Sequence, residues 1–482
     1  MSRQFNVSLI RVVYFMPTSI RDLWNPEMIR KHDLAGPRYT SYPTAPQFQA
    51  DFSENSWKAA AVASNASGNP LSLYFHIPFC DTVCYYCACN KIITANKKLA
   101  DPYVEAVLKE IKLQAAHIDS SRPVNQLHWG GGTPSYLSNE QMSALMGATA
   151  AAFNLHTDDS GEYSIEIHPK GVSPERLTHL RQLGFNRLSM GVQDFDPEVQ
   201  KAVNRFNSPE EVAELITAAQ AERFHSISLD LIYGLPLQSA TTFARTLDKV
   251  IALQPDRLSV FNYAHMPHLF KTQKQIDERQ LPEPQEKMEI LYNSIETLLK
   301  EGYVYVGMDH FALPNDELAQ AQLNKVLHRN FQGYATHGNC DMFSFGVSSI
   351  AAFGDHFIQN HKKLDDYYAA LEQDQLPITR GLALNADDKL RQDVISELIC
   401  HFELDFAAIE ARHNIHFRDY FASELAALVE LQQDGLLDIN EDNIRVHVAG
   451  RLLIRRVCMT FDRYLQEKLA SETDKPRYSR II

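Results

Sequence analysis

Residues 73–92 read LYFHIPFCDTVCYYCACNKI and place four cysteines, Cys80, Cys84, Cys87 and Cys89, within ten positions of a chain that has seven. Thiolates spaced this closely on one loop can converge on a single soft metal centre, which leaves zinc and iron-sulfur as the choices. A structural zinc site draws two short cysteine pairs from separate segments, whereas this run is C-x3-C-x2-C-x-C and no second pair exists. Three cysteines on one loop can instead hold three irons of a four-iron cluster and leave the fourth iron open for chemistry. The aromatic residues beside them, Phe79, Tyr85 and Tyr86, are suited to shielding such a cluster from water.

Outward from this loop the chain alternates short β-rich runs with stretches of helical period. The runs predict strands at 71–77, 126–129, 163–167, 187–192, 226–232 and 257–261. Helix starts fall between them, at Asp101-Pro102, Ser173-Pro174-Glu175 and Ser208-Pro209-Glu210. Six such units predict a parallel sheet with helices outside, either doubly wound or an incomplete (β/α)6 barrel. The strand ends favour the barrel, because each runs into something polar or glycine-rich at its C-terminal end, where barrels carry their chemistry. In order these are the cysteine loop, Gly130-Gly131-Gly132-Thr133-Pro134, Glu166, Gln193-Asp194, Asp230 and Asn262-Tyr263.

Bulk properties narrow the function classes. With 482 residues the chain is expected to form more than one domain. The composition, 45% hydrophobic and 22% charged, is that of a globular protein, and no stretch approaches the roughly 18–20 uninterrupted apolar residues of a membrane span. The N-terminal stretch MSRQFNVSLIRVVYFMPTS is interrupted by Arg11 and lacks a small-residue cleavage site, so a cytoplasmic location is expected. A formal charge of −14 argues against nucleic acid as a partner and requires a locally basic site for any acidic substrate. Cys340, Cys400 and Cys458 stand alone and read as buried small hydrophobes.

CDTVCYYC together with GGGTP resembles the signature of the radical S-adenosylmethionine enzymes. Within them, HIPFC...CYYCACNKI, QLHWGGGTP, NRLSMGVQDF, LDLIYGLP, RLSVFNYAH and GMDHFA resemble the oxygen-independent coproporphyrinogen III oxidases, also called coproporphyrinogen III dehydrogenases, over about residues 30–482. The resemblance implies anaerobic oxidative decarboxylation of two propionates of coproporphyrinogen III to vinyl groups, giving protoporphyrinogen IX through a 5'-deoxyadenosyl radical in heme biosynthesis. It implies one 4Fe-4S cluster on Cys80, Cys84 and Cys87. It also implies two bound S-adenosylmethionine molecules, with contacts at Tyr74, Gly131, Gly132, Thr133, Glu166, Gln193, Arg205, Asp230, Ala264 and Ile350, and with Tyr86 and Cys89 touching the second molecule. Two positions depart from the family pattern. Tyr86 stands where phenylalanine is familiar, and His168 stands where an acidic residue is expected.

A tetracarboxylate calls for cations, and Arg38, His310 and Arg329 in GPRYTSYPT, GMDHFA and LHRNFQGY are the candidate substrate contacts. The expected partners are the porphyrinogen and a low-potential electron donor such as flavodoxin or ferredoxin, with the chain a monomer. A heme-binding carrier relative and a heme-degrading radical methyltransferase relative are alternatives. Cys89 and GPRYTSYPT favour the oxidase over both.

The expected organisation is an N-terminal arm over the active site (1–56), a barrel with its extension (57–379) and a mainly helical C-terminal domain (380–482). Within the last, ELAALVELQQDGLLDINEDNIRVHVAG reads as a helix followed by a hairpin near Asn440–Asn443, similar to a winged helix. Neither of its helices carries a basic stripe, so a lid or packing role is expected rather than DNA binding. Residues 1–29 match none of these patterns, and Met28 offers a later translation start.

Overall fold

The computed structural model of the protein describes residues 19–470 and 478–482; the N-terminal stretch 1–18, read above for a leader, lies outside them. The described residues divide into two compact units, one formed by 48–290 and 339–383, the other by 19–47, 291–338, 384–470 and 478–482.

The first unit begins with helix α1 (Glu54–Ser67). It continues with β1 (Leu71–Ile77), α2 (Ala100–Ala115), β2 (Pro123–Gly131), α3 (Asn139–Ala152), β3 (Glu162–Ile167), α4 (Pro174–Gln182) and β4 (Arg187–Gln193). Next come α5 (Pro209–Ala221), β5 (Ser226–Tyr233), α6 (Ala240–Ala252) and β6 (Arg257–Asn262). Adjacent strands from β1 to β6 pair in parallel, in chain order. This is the incomplete (β/α)6 barrel of the sequence reading. The other side of β1 carries β7 (Asp341–Phe345), also parallel. An antiparallel extension follows in β8 (Ile350–Phe353), β9 (His356–Asn360) and β10 (Ile378–Ala383).

The helix starts follow from capping chemistry. Ser173 caps α4 by accepting from the Arg176 N–H, and Ser208 with Glu211 forms a reciprocal capping box on α5. The expected start at Asp101-Pro102 falls one residue late, since α2 opens at Ala100 and Asp101 lies in its first turn. Aromatic packing behind the strands fixes the sheet: Phe75 stacks on Phe345 at 4.8 Å, and Trp129 meets Phe185 edge-on at 5.1 Å. Glu110 of α2 is fully buried, yet its oxygens accept from Gln114, Asn360, Tyr367 and the Gly346 N–H, so this helix is tied to β9 and to the turn after β7.

The second unit is mainly helical, with Ala386–His401, Ala422–Gln433 and Ile454–Phe461 as three of its helices and strands Glu403–Asp405, Leu437–Ile439 and Asn443–Val446 as a small antiparallel sheet. The hairpin expected near Asn440–Asn443 is there, closed by Asn440 N–H to Asn443 O at 2.9 Å. Two boundaries differ from the expectation. Residues 291–338, expected with the barrel, cluster with the C-terminal helices, and β10 runs through the expected boundary at 380. The described part of the N-terminal segment packs within the second unit. Its residues 20–23 and 26–32 are helical, and Tyr39 and Tyr42 are buried, Tyr39 donating to Asp462 at 3.0 Å while the Arg463 N–H donates to the Tyr42 hydroxyl at 3.2 Å. Arg455, 2% exposed, donates to the Pro37 carbonyl at 2.9 Å. Of the lone cysteines, Cys400 and Cys458 are buried as expected, whereas Cys340 is half-buried.

Candidate active site

Strand alternation decides what faces the barrel interior. Along β3, β4 and β5 the fully buried positions alternate with partly open ones, and the open set contains Ser164 and Glu166, Ser189, Gly191 and Gln193, and Ser228 and Asp230. At their C-terminal ends lies a cavity of about 640 Å³. Cys80, Cys84, Cys87 and Cys89 line one part of it, and Glu166, His168, Gln193, Arg205 and Asp230 line another.

The cysteine loop is held from several sides. Phe79 and Cys80 pair in parallel with Ile92 and Ile93, and Thr94 N–H donates to the Cys80 carbonyl at 3.0 Å. Tyr85 and Tyr86 pack against a buried cluster of Val199, Val203, Leu235, Tyr263 and Ile276. The Asn204 amide donates to Val83 O at 2.7 Å, Gln273 to Tyr86 O at 3.0 Å, and Thr272 to Cys87 O at 3.0 Å. The two tyrosines therefore anchor the loop by apolar burial while backbone acceptors fix its path.

The thiols differ in character. Burial pushes Cys80 up to about 11, opposed by Thr133, whose hydroxyl lies 3.4 Å from its sulfur. Cys87 is held below the ordinary thiol range by the hydrogen bond from Cys89 and by the Lys91 ammonium. Arg205 donates through Nη1 to Cys84 Sγ at 3.7 Å. Its Nη2 donates to the Gly191 carbonyl, while Nε is buried without a partner among the described residues. Gln193 Oε1 is likewise buried and unpartnered.

The acidic side is organised by residues that sequence reading did not single out. His128 bridges Ser164, Nδ1 to Oγ at 2.6 Å, and Glu166, Nε2 to Oε1 at 3.3 Å. Burial works against the Glu166 carboxylate, but the His128 hydrogen bond and the Gly131 N–H at 3.3 Å leave it below the usual carboxylate range. Asp230 is different. Burial raises it to about 6 despite hydrogen bonds from Ser259 and Ser189, the latter at 3.2 Å. Tyr74 stacks on His128 at 5.9 Å and meets His76 Nδ1 at 3.1 Å, while His76 Nε2 reaches the Asn90 carbonyl at the far end of the cysteine loop. The signal for His128, Ser164 and Ser189 was the period of two, which puts each on the same face as Gly130, Glu166 and Gly191.

The glycine-rich turn approaches the loop closely. Gly132 N–H donates to Ile77 O at 2.8 Å, and a Cβ there would lie 2.5 Å from Pro78 O. A Cβ on Gly131, whose φ is +114°, would meet the His76 ring at 2.7 Å.

Of the sequence-derived positions, Cys80, Cys84, Cys87, Cys89, Tyr86, Gly131, Gly132, Thr133, Glu166, Gln193, Arg205 and Asp230 meet in this one cavity. Tyr74 stands behind it through His128, and Ala264 and Ile350 are not in its lining; Ile350 opens β8, paired with Gln359. Arg38, His310 and Arg329 belong to the second unit. There Arg38 pairs with Asp309 at 2.6 Å, and the His310 ring and the Arg329 guanidinium both pack on Tyr334, at 5.2 and 4.7 Å.

A parallel barrel with three thiols converging at its C-terminal mouth defines a radical S-adenosylmethionine protein, and residues 74–250 match the Radical SAM superfamily. Residues 384–453 match the HemN C-terminal domain. An oxygen-independent coproporphyrinogen III oxidase from Pseudomonas aeruginosa is 50% identical over 459 residues, covering 95% of this chain and 99% of that one. The Escherichia coli protein of the same name is 48% identical over 459 residues, covering 95% and 98%. The solved structure of coproporphyrinogen III oxidase (HemN) from Escherichia coli, described as a radical SAM enzyme, superposes with a TM-score of 0.88 at 48% identity, over 92% of this chain and 99% of that one. The chain belongs to the oxygen-independent coproporphyrinogen III oxidase family. Membership implies a 4Fe-4S cluster and S-adenosylmethionine, and the residues fit them: three free thiols on one loop, a turn that Cβ atoms would obstruct, and orphaned polar atoms on Arg205 and Gln193. No helix among the described residues is long and apolar enough to cross a membrane.

Proposed function

We propose that the chain converts coproporphyrinogen III to protoporphyrinogen IX without oxygen, by oxidative decarboxylation of two propionates. Each propionate loses one β-hydrogen, carbon dioxide and one electron, and becomes a vinyl group. The cluster and S-adenosylmethionine supply the hydrogen-abstracting radical when bound. The protein's part is binding, orientation and exclusion of water.

Cys80, Cys84 and Cys87 hold the cluster, and Cys89, close enough to hydrogen-bond Cys87, is left to contact a cofactor molecule. Glu166, ionised and held by His128, and Asp230, held by Ser189, are acceptors for the hydroxyl and ammonium groups of S-adenosylmethionine. The other contacts are Tyr74, Tyr86, Gly131, Gly132, Thr133, Gln193, Arg205, Ala264 and Ile350. So long a set is suited to two cofactor molecules. Arg38, His310 and Arg329 serve the propionates. Arg329 supports this reading because its Nε and Nη1 are buried and hydrogen-bond nothing in the described chain. The enzyme works in the cytoplasm as a monomer, reduced by a flavodoxin or ferredoxin.

The observation that carries the proposal is the convergence of three loop thiols with Glu166, Gln193, Arg205 and Asp230 on one cavity. Coproporphyrinogen III deuterated at the propionate β-carbons tests it. Deuterium is expected in the 5'-deoxyadenosine formed, and deoxyadenosine free of label, with the substrate's label intact, overturns it.

A further inference from the structure

His168, two residues beyond Glu166, lines the same cavity. The Lys170 backbone N–H donates to its Nδ1 at 3.1 Å, which places the proton of a neutral ring on Nε2. Burial, with the charges of Arg205 and Lys170, pushes its pKa down to about 3, so the ring is neutral across the working range. It thus offers the cavity one N–H donor, and no acceptor among the described residues takes it.

The carboxylates of the wall are otherwise engaged. Glu166 is bound to His128 and Gly131, Asp230 to Ser189, and Asp81 to Lys97 at 2.8 Å. Around His168 stand two cations, Arg205 with its orphaned Nε and Lys170, whose ammonium lies 5.8 Å from the Phe206 ring centroid. This part of the wall presents donors, and what complements it is an acceptor bearing negative charge.

We propose that His168 is a binding residue of this cavity, donating through Nε2–H to a carboxylate of the bound ligand alongside Arg205. The inference rests on the reading that the cavity takes S-adenosylmethionine. Two sources supply the group, the methionyl carboxylate of the cofactor or a propionate of the substrate.

Equilibrium binding to the anaerobically reconstituted protein separates them. S-adenosylmethionine and S-adenosylhomocysteine carry the carboxylate, and 5'-methylthioadenosine lacks it. Coproporphyrin III carries propionates, and its tetramethyl ester does not. If the cofactor supplies the carboxylate, His168→Leu weakens the first two ligands about tenfold or more and spares methylthioadenosine, while His168→Gln, which keeps an N–H, recovers most of the affinity. If the substrate supplies it, His168→Leu weakens coproporphyrin but not the ester. His168→Phe, which also lacks the N–H donor, stands in should the leucine variant fold poorly. Unchanged binding of both carboxylate ligands, or an equal loss for methylthioadenosine and the ester, overturns the proposal. Failure of the unaltered protein to bind S-adenosylmethionine at all would refute the underlying reading instead.

Discussion

Replacing Gly132 with alanine forces the glycine-rich turn against the base of the cysteine loop. The added Cβ would lie 2.5 Å from Pro78 O, 2.6 Å from Pro78 C and 2.9 Å from Phe79 O, all backbone atoms that cannot rotate aside. Opening the shortest contact to even 3.0 Å moves the backbone by about 0.5 Å, two residues before Cys80, and strains the Gly132 to Ile77 hydrogen bond. Overpacking of this kind costs about 1–3 kcal/mol, with up to about 1 kcal/mol more for a lost hydrogen bond. Gly147 is the control: it lies in α3, nothing stands within 4 Å of a Cβ there, and alanine should stabilise the helix by up to about 1 kcal/mol. Thermal unfolding and iron content after anaerobic reconstitution read the two variants. Gly132→Ala is expected to unfold at lower temperature and to hold less iron, and Gly147→Ala to do neither. Wild-type iron and unfolding temperature in Gly132→Ala would refute the close approach.

Serine at Cys80, Cys84 or Cys87 should abolish the cluster absorbance and S-adenosylmethionine cleavage together, whereas serine at Cys89 should keep the cluster and impair turnover; iron loss in the Cys89 variant would reverse the assignment. Asp230, raised by burial to about 6, must be ionised to accept from the cofactor. Affinity for S-adenosylmethionine should therefore fall by up to about tenfold per pH unit as pH drops below 6, and Asp230→Asn should bind weakly with a flat profile. Calorimetry across pH 5–8 checks this. Arg38→Ala should weaken coproporphyrin III binding about tenfold without changing iron content or S-adenosylmethionine affinity, as equilibrium dialysis would show.

Much of the barrel was legible because its strands carry two signals at once, a β-rich run and an abrupt polar or glycine-rich end. Pro123–Gly131 was read two or three residues short at each end, since Pro123 and the glycines resemble breakers although they extend β2. His128, Ser164 and Ser189 passed as ordinary polar strand positions, and only the register of neighbouring strands shows that His128 faces Ser164. Tyr85 and Tyr86 read as shields for a cluster, and their packing on Val199 and Val203 depends on a helix more than a hundred residues away in sequence. The second unit was least legible. It is assembled from three separated segments, and Tyr39 is buried there, donating to Asp462. No local pattern in GPRYTSYPT announces a partner over four hundred residues further on.

The most direct test of the account is anaerobic incubation of the reconstituted protein with S-adenosylmethionine, a low-potential reductant and coproporphyrinogen III, with carbon dioxide and tetrapyrrole measured together. The account predicts protoporphyrinogen IX with two carbon dioxide molecules for each one formed, and neither from the Cys80→Ser protein. Cleavage of S-adenosylmethionine that leaves all four propionates in place would contradict it.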